Sequence, residues 1–181
     1  MPGLIQISGL PRSGTAFMSV FMSLCPTCIG VHELGVSSDD WREELHELLT
    51  EHRFVADCST YAHIKKLRIQ NGKRVFIVQD PETSRIKSEK AFKYTIPEGS
   101  FNWLYDSGLE WVNETHGMVI QLSDLFCVET LERVWKYAFE DESVFPTRKV
   151  TELIAMNIQR NKPDEVFSMK AGQQFVEKEG L

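Results

Sequence analysis

The sequence predicts an α/β fold: a three-layer sandwich on a mostly parallel central sheet. Three observations carry that prediction. Strand-like and helix-like stretches alternate along the chain. Val75-Phe76-Ile77-Val78 is an unbroken apolar run, the pattern of a strand buried on both faces of a parallel sheet. Gly9-Leu-Pro-Arg-Ser-Gly14 stands between an apolar strand and an apolar helix, a GxxxxG spacing that suits an anion-binding loop.

The elements follow in order. Leu4-Ile5-Gln6-Ile7 reads as the first strand. Residues 13–24 read as the first helix, stopped by Cys25-Pro26, and residues 28–31 as a short second strand. Ser37-Ser38-Asp39-Asp40 offers side-chain oxygens to the free amides of a helix start. Beyond it Trp41, Leu45, Leu48 and Leu49 share one helical face, with Glu43, Glu44 and Glu47 elsewhere. Phe54-Val55-Ala56 reads as the third strand, residues 61–69 as a helix, and Asn71-Gly72 as a turn. Val75 to Val78 is the next strand, and a helix is expected over residues 83–92. A loop with Pro97 and Gly99 leads to a helix over residues 101–114 and a last strand, Met118-Val119-Ile120. Val128, Leu131, Trp135 and Ala138 mark an amphipathic helix, and residues 153–158 suggest another. The polar tail, residues 160–181, is expected to be an irregular arm. No repeat or linker divides the chain, so residues 1–181 read as a single domain.

The chain of 181 residues is 42% apolar and 25% charged, with a formal net charge of -6. That composition suits a soluble globular protein, and the negative balance argues against a nucleic-acid partner while allowing a local basic pocket. No stretch has the length of a membrane-spanning helix, and the N-terminus shows no basic, cleavable leader. No membrane partner and a cytoplasmic location are therefore expected. Cys25-Pro-Thr-Cys28, followed by His32, has the spacing of half a zinc site or of a redox pair. A structural zinc would want a second pair, which Cys58 and Cys127 do not form. A redox pair should open a helix, whereas this one closes one. Small buried thiols at a turn are the simpler reading, and no metal is expected.

Within the loop, glycine allows positive φ and close backbone approach, and the following helix presents free amides to an anion. Arg12 adds a charged fork for phosphate or sulfate oxygens, and Ser13 and Thr15 add hydroxyls. A full Walker pattern would need Lys at the position of Thr15 and Ser or Thr at that of Ala16. The lysine that reaches ATP phosphates and the hydroxyl that holds magnesium are missing together. Such a loop suits a phosphate that is held rather than a triphosphate that is hydrolysed.

Pro11-Arg12-Ser13-Gly14-Thr15 resembles the 5′-phosphosulfate loop of the sulfotransferases that use PAPS (3′-phosphoadenosine 5′-phosphosulfate), where a Lys or Arg stands in the place of Arg12. Arg74-Val-Phe-Ile-Val-Gln-Asp-Pro81, continuing to Ser88, is similar to that family's second segment. There a buried strand runs into Arg-x-Pro, and a serine of the next helix binds the 3′-phosphate. Gln121-Leu-Ser-Asp-Leu125 resembles the family's acidic-Leu element before a helix. The likeness spans residues 3–135. It implies a P-loop-like sandwich of the sulfotransferase type, PAPS as donor, and a donor site made by Pro11, Arg12, Ser13, Gly14, Thr15 and Ala16. Three departures stand out. Gln79 replaces the arginine expected before Asp-Pro. Lys87 occupies the position of the family serine, with Ser88 one residue later. Ala16 removes a hydroxyl often present in the first loop. Arg85, Lys87 and Ser88 are the candidates to rebuild a 3′-phosphate site.

Open α/β sheets bind ligands at the C-terminal ends of their strands. Val31-His32-Glu33-Leu34 ends the second strand at that edge. Some sulfotransferases carry a catalytic glutamate there, and Glu33 resembles it. His32, whose ordinary pKa suits acid–base work, is the alternative base, and a solvated loop pair is the plain reading. Asp57-Cys58-Ser59-Thr60-Tyr61 ends the third strand, in a stretch where related enzymes often carry a lysine. Asp57 or Ser59 would orient an acceptor or cap a helix. His46, His52, His63 and His116 lack metal spacing and read as surface residues. Trp41 and Trp135 sit at core spacing, while Trp103 and Trp111 either cover the cleft or pack on the sheet.

The expected activity is transfer of a sulfuryl group from PAPS to a hydroxyl or amine of a small-molecule or glycan acceptor. Arg12 would stabilise the leaving phosphate and Glu33 would act as base. Two other classes stay open: a P-loop nucleotide or small-molecule kinase, and a sulfotransferase-like nucleotide-binding protein without catalysis.

Overall fold

The runs read as strands all pair in one sheet. In the computed structural model, which describes residues 3–34, 40–64, 72–158 and 172–181, five strands form it. They are β1 (Gly3–Gly9), β2 (Cys28–His32), β3 (Phe54–Cys58), β4 (Lys73–Val78) and β5 (Met118–Gln121). Their order is β2-β3-β1-β4-β5, and every neighbouring pair is parallel. Parallel neighbours need crossover connections, and helices supply them while covering both faces.

Side chains alternate across the sheet. Ile5, Ile7, Phe54, Ala56, Cys58, Val75 and Ile77 share one core with α1 (Thr15–Met22), whose eight residues are all buried. A helix apolar on every side must be enclosed, which explains why α1 lies between the sheet and further helices. On the opposite face, Val31 and Val55 meet Trp41 and Leu45 of α2 (Trp41–Glu51). The N-cap of α3 (Pro81–Phe92) is Asp80, which accepts from the Thr83 N–H at 2.7 Å. Pro81 occupies the first turn, where a missing N–H costs nothing. Phe76 and Val78 pack on Trp111 and Val112 of α4 (Ser100–Asn113), and α3 lies against α4. The first core is completed by α5 (Val128–Phe139) and α6 (Thr147–Met156), which starts well before the expected residue 153.

The expected irregular arm is corrected in its last part. Gly172–Glu179 is a helix, α7, set against α1 and β2, with Phe175, Val176 and Leu181 in the core. Two adjacent apolar residues in a polar tail make no helical stripe, so burial against α1 stabilises what the local sequence does not signal. Residues 159–171 lie outside the described residues. So do Ser37, Ser38 and Asp39, although Asp40 does precede α2 as its N-cap. The helix expected over residues 61–69 is a turn as far as Ile64, closed by Ala62 N–H to the Ser59 carbonyl at 3.2 Å and Ile64 N–H to the Tyr61 carbonyl at 2.9 Å. Residues 65–71, with the Asn71 turn, lie outside the described residues.

Cys25, Cys28 and Cys58 are buried and free, and Cys127 is exposed. Burial pushes the Cys28 and Cys58 thiols up, away from the reactive thiolate. Among the described residues, no group of three His, Cys, Asp or Glu could hold a metal ion, and no helix is long and apolar enough to cross a membrane.

Candidate active site

Backbone strain marks the site first. Among the described residues, Arg12, Glu33, Lys93, His116, Glu140 and Asn157 are non-glycine residues at positive φ. Lys93, Glu140 and Asn157 are helix C-caps and His116 lies in the turn after α4, where this conformation ends a helix. Arg12 (φ 70°) and Glu33 (φ 59°) cap nothing. They follow β1 and β2 at the C-terminal edge of the sheet. Each such conformation costs about 1–3 kcal/mol and persists only where its surroundings enforce it. Gly14, at φ 93°, is the N-cap of α1, where its lack of a Cβ matters.

Both strained residues face one cavity of about 660 Å³. The loop between β1 and α1, with the start of α1, contributes Pro11, Arg12, Gly14, Thr15 and Ala16 to its wall. His32 and Glu33 come from the end of β2, Thr60 and Tyr61 from the turn after β3, and Lys87 and Phe92 from α3. The fold thus brings together most of the residues singled out in the sequence. Ser13, Arg85 and Ser88 do not line the cavity.

The loop is held from behind. The Pro11 carbonyl accepts from Gln79 Nε2 at 3.0 Å and from Ser84 Oγ at 2.6 Å. Gln79, which stands where the family resemblance expects an arginine, is buried and braces the loop. Ser13 N–H closes the turn onto the Leu10 carbonyl at 3.0 Å. Ser13 Oγ is buried without a hydrogen-bond partner. A Cβ on Gly9 would run into Ser13 Oγ and the Ile77 carbonyl, so the loop is packed down to its backbone.

Across the cavity, Glu33 Oε1 accepts from Thr60 N–H at 3.1 Å and from Thr60 Oγ1 at 2.6 Å. His32 Nε2 sits 3.5 Å from Glu33 Oε1 and 3.4 Å from Thr15 Oγ1, joining the carboxylate to the loop. Burial lowers the His32 pKa, opposed by the Glu33 charge, so the imidazole stays neutral over a wider range than usual. Asp57 is buried and takes the Ser59 hydroxyl proton, and the Leu34 carbonyl, 3.2 Å from Ser59 Oγ, is the other acceptor within reach of that one proton. Burial raises the Asp57 pKa to about 7, against the lowering effect of the Ser59 hydrogen bond. Neither Asp57 nor Ser59 lines the cavity; Thr60, given no role from the sequence, does. Its hydroxyl, two residues past the end of β3, carried no signal without a partner in view.

His63 is corrected from surface to core: it is fully buried, and its Nδ1 lies 2.8 Å from Ser8 Oγ. A lone histidine beside Ala62 and Ile64 gives no periodicity that would announce this. Trp41, Trp111 and Trp135 are buried and Trp103 is exposed.

On α3, Arg85 is tied along its own helix, to Glu89 Oε1 at 2.6 Å and Glu82 Oε2 at 2.8 Å. Ser88 is buried and its Oγ lacks a partner, while Lys87 is exposed and reaches the cavity wall. Phe92 stacks on Tyr94, ring centroids 5.9 Å apart, at the end of this helix.

No family model and no curated protein matches the sequence. Solved structures do. The mouse sulfotransferase SULT7A1, complexed with PAP, aligns at a TM-score of 0.62 and 15% identity, over 86% of this chain and 65% of that one. The chain has the sulfotransferase fold. The sulfotransferase domain of the Synechococcus PCC 7002 olefin synthase aligns at a TM-score of 0.52 and 11% identity, over 93% of this chain and 88% of that domain. A gluconokinase from Sinorhizobium meliloti 1021 aligns at 0.43 with 14% identity. The chain spans 65% of the length of the mouse enzyme.

Proposed function

We propose that the protein is a sulfotransferase that takes a sulfuryl group from PAPS and passes it to a hydroxyl or amine of a small-molecule or glycan acceptor. One observation carries the reading. Arg12 and Glu33, both held in left-handed backbone conformation, face the same cavity from two strand ends. A cation at an anion-binding loop and a carboxylate opposite it are what such a transfer needs. The glycine-permitted loop and the helix start at Gly14 fit the charged end of the donor.

Pro11, Arg12, Ser13, Gly14, Thr15 and Ala16 would hold the 5′-phosphosulfate, and Lys87, with Arg85 and Ser88 behind it, the far end of the nucleotide. When bound, the donor supplies an activated sulfur–oxygen bond whose cleavage leaves charge on the phosphate. Arg12 answers that charge with a guanidinium fork. Glu33 takes the proton of the acceptor, and neutral His32 beside it is the alternative base. Tyr61 and Phe92 give the cavity an apolar wall against which an acceptor can rest.

Calorimetry with 3′,5′-ADP and with magnesium-ATP tests the donor, and PAPS with a panel of alcohols, phenols, amines and glycans, read by mass spectrometry, tests the transfer. Binding of the bisphosphate without binding of ATP, together with one sulfated acceptor, is expected. Preference for magnesium-ATP would return the chain to the kinases.

A further inference from the structure

Three residues, one on the cavity wall and two behind it, have no part in these roles: Thr60, Ser8 and His63. They form one hydrogen-bonded line. Glu33 Oε1 receives both the N–H and the hydroxyl of Thr60, at 3.1 and 2.6 Å. The Thr60 carbonyl accepts from Ser8 Oγ at 3.1 Å, and Ser8 Oγ lies 2.8 Å from His63 Nδ1. A serine hydroxyl has a single proton to donate. With that proton on the Thr60 carbonyl, the shorter contact is His63 Nδ1–H donating to Ser8.

The line runs from core to rim. Ser8 and His63 are fully buried, and the His63 ring stands edge-on to Phe76 at 5.5 Å. Thr60 lies just past β3, where its carbonyl has left the sheet ladder and would otherwise need another donor. Ser8, on β1, supplies it. At the rim, two donors converge on one carboxylate oxygen. One donor tethers a flexible glutamate; two from the same residue also set its rotation.

Resting on the reading of Glu33 as base, we propose that Thr60 is a positioning residue that aims the Glu33 carboxylate at the cavity, and that Ser8 and His63 hold Thr60 in place. The consequence is kinetic, because a misaimed base binds the donor as before and transfers slowly.

Thr60→Val keeps the shape and the N–H but removes the hydroxyl, and Thr60→Ser returns it. Thr60→Val is expected to lower kcat about tenfold or more while leaving 3′,5′-ADP affinity within about twofold, with Thr60→Ser restoring most of the rate. Ser8→Ala moves kcat the same way by a smaller factor, with the fold checked by circular dichroism. Full kcat in Thr60→Val overturns the proposal, as does loss of kcat and nucleotide affinity in step, or a Thr60→Ser protein no faster than Thr60→Val. If the unmodified protein sulfates no acceptor, the sulfotransferase reading fails separately. Crystal structures of the unmodified and Thr60→Val proteins then decide: a displaced Glu33 carboxylate upholds the positioning role, and an unmoved one overturns it.

Discussion

The two ends of the cavity are built by different means. At the loop end, the main chain does the placing. Arg12 and Glu33 sit in left-handed conformations, the Pro11 carbonyl is clamped by Gln79 and Ser84, and Glu33 is clamped by Thr60. At the α3 end, side chains of one exposed helix do it. Arg85 is paired with its own neighbours, Lys87 projects to the wall, and Phe92 and Tyr94 stack at the mouth. A clamped end holds charge in fixed geometry with little reorganisation, which suits the reacting atoms. A helix surface can rearrange its ion pairs, which suits the part of a ligand that only needs to be held.

This contrast can be broken by experiment. The largest effect belongs to Glu33→Gln, expected to lower kcat by about 10²–10⁴-fold while 3′,5′-ADP still binds. A Glu33→Gln protein with full activity would move the base elsewhere, to His32 first. Next is Arg12→Ala, expected to weaken 3′,5′-ADP about tenfold or more by calorimetry, the loss of one charge-assisted contact. Unchanged binding would empty the loop of its role. At the α3 end the effects should shrink: Lys87→Ala weakens the same ligand by about threefold and more at low salt, and Arg85→Ala by less, because its pairs must first be broken. If Arg85→Ala rivals Arg12→Ala, the two ends are not built differently after all.

The smallest effect is on stability. The Asp57 pKa is raised to about 7, chiefly by burial. Burial penalises the charged form, so the penalty is absent below the ordinary carboxylate pKa and grows as pH rises towards 7. Asp57→Asn should therefore raise Tm more at pH 8 than at pH 5. Equal shifts at both values would mean that Asp57 titrates normally, and that the loop end is wetter than its burial implies.

Much of this was legible in the chain. Alternating apolar runs placed all the strands, and GxxxxG between strand and helix placed Arg12 in the loop that lines the cavity. The missing Walker lysine was legible too, since it is an identity at a position. Gln79 was legible as an odd residue but not as a brace, because its partner is a carbonyl 68 residues away in sequence. Thr60 and His63 were illegible for the same reason: a hydroxyl or an imidazole carries no sign of which oxygen it will meet. The C-terminal helix was hidden by its polar flanks, and only the flank of α1 and β2 that it covers called for Phe175 and Val176.

The sequence by itself determined the layer architecture and the glycine loop between β1 and α1, because period, apolar runs and glycine spacing are local properties that fix local conformation. Tertiary structure decided which side chains share the cavity and which lie behind it. Parallel pairing draws the ends of β1, β2 and β3 to one edge, and only there do Arg12, Glu33 and Thr60 come to line one cavity.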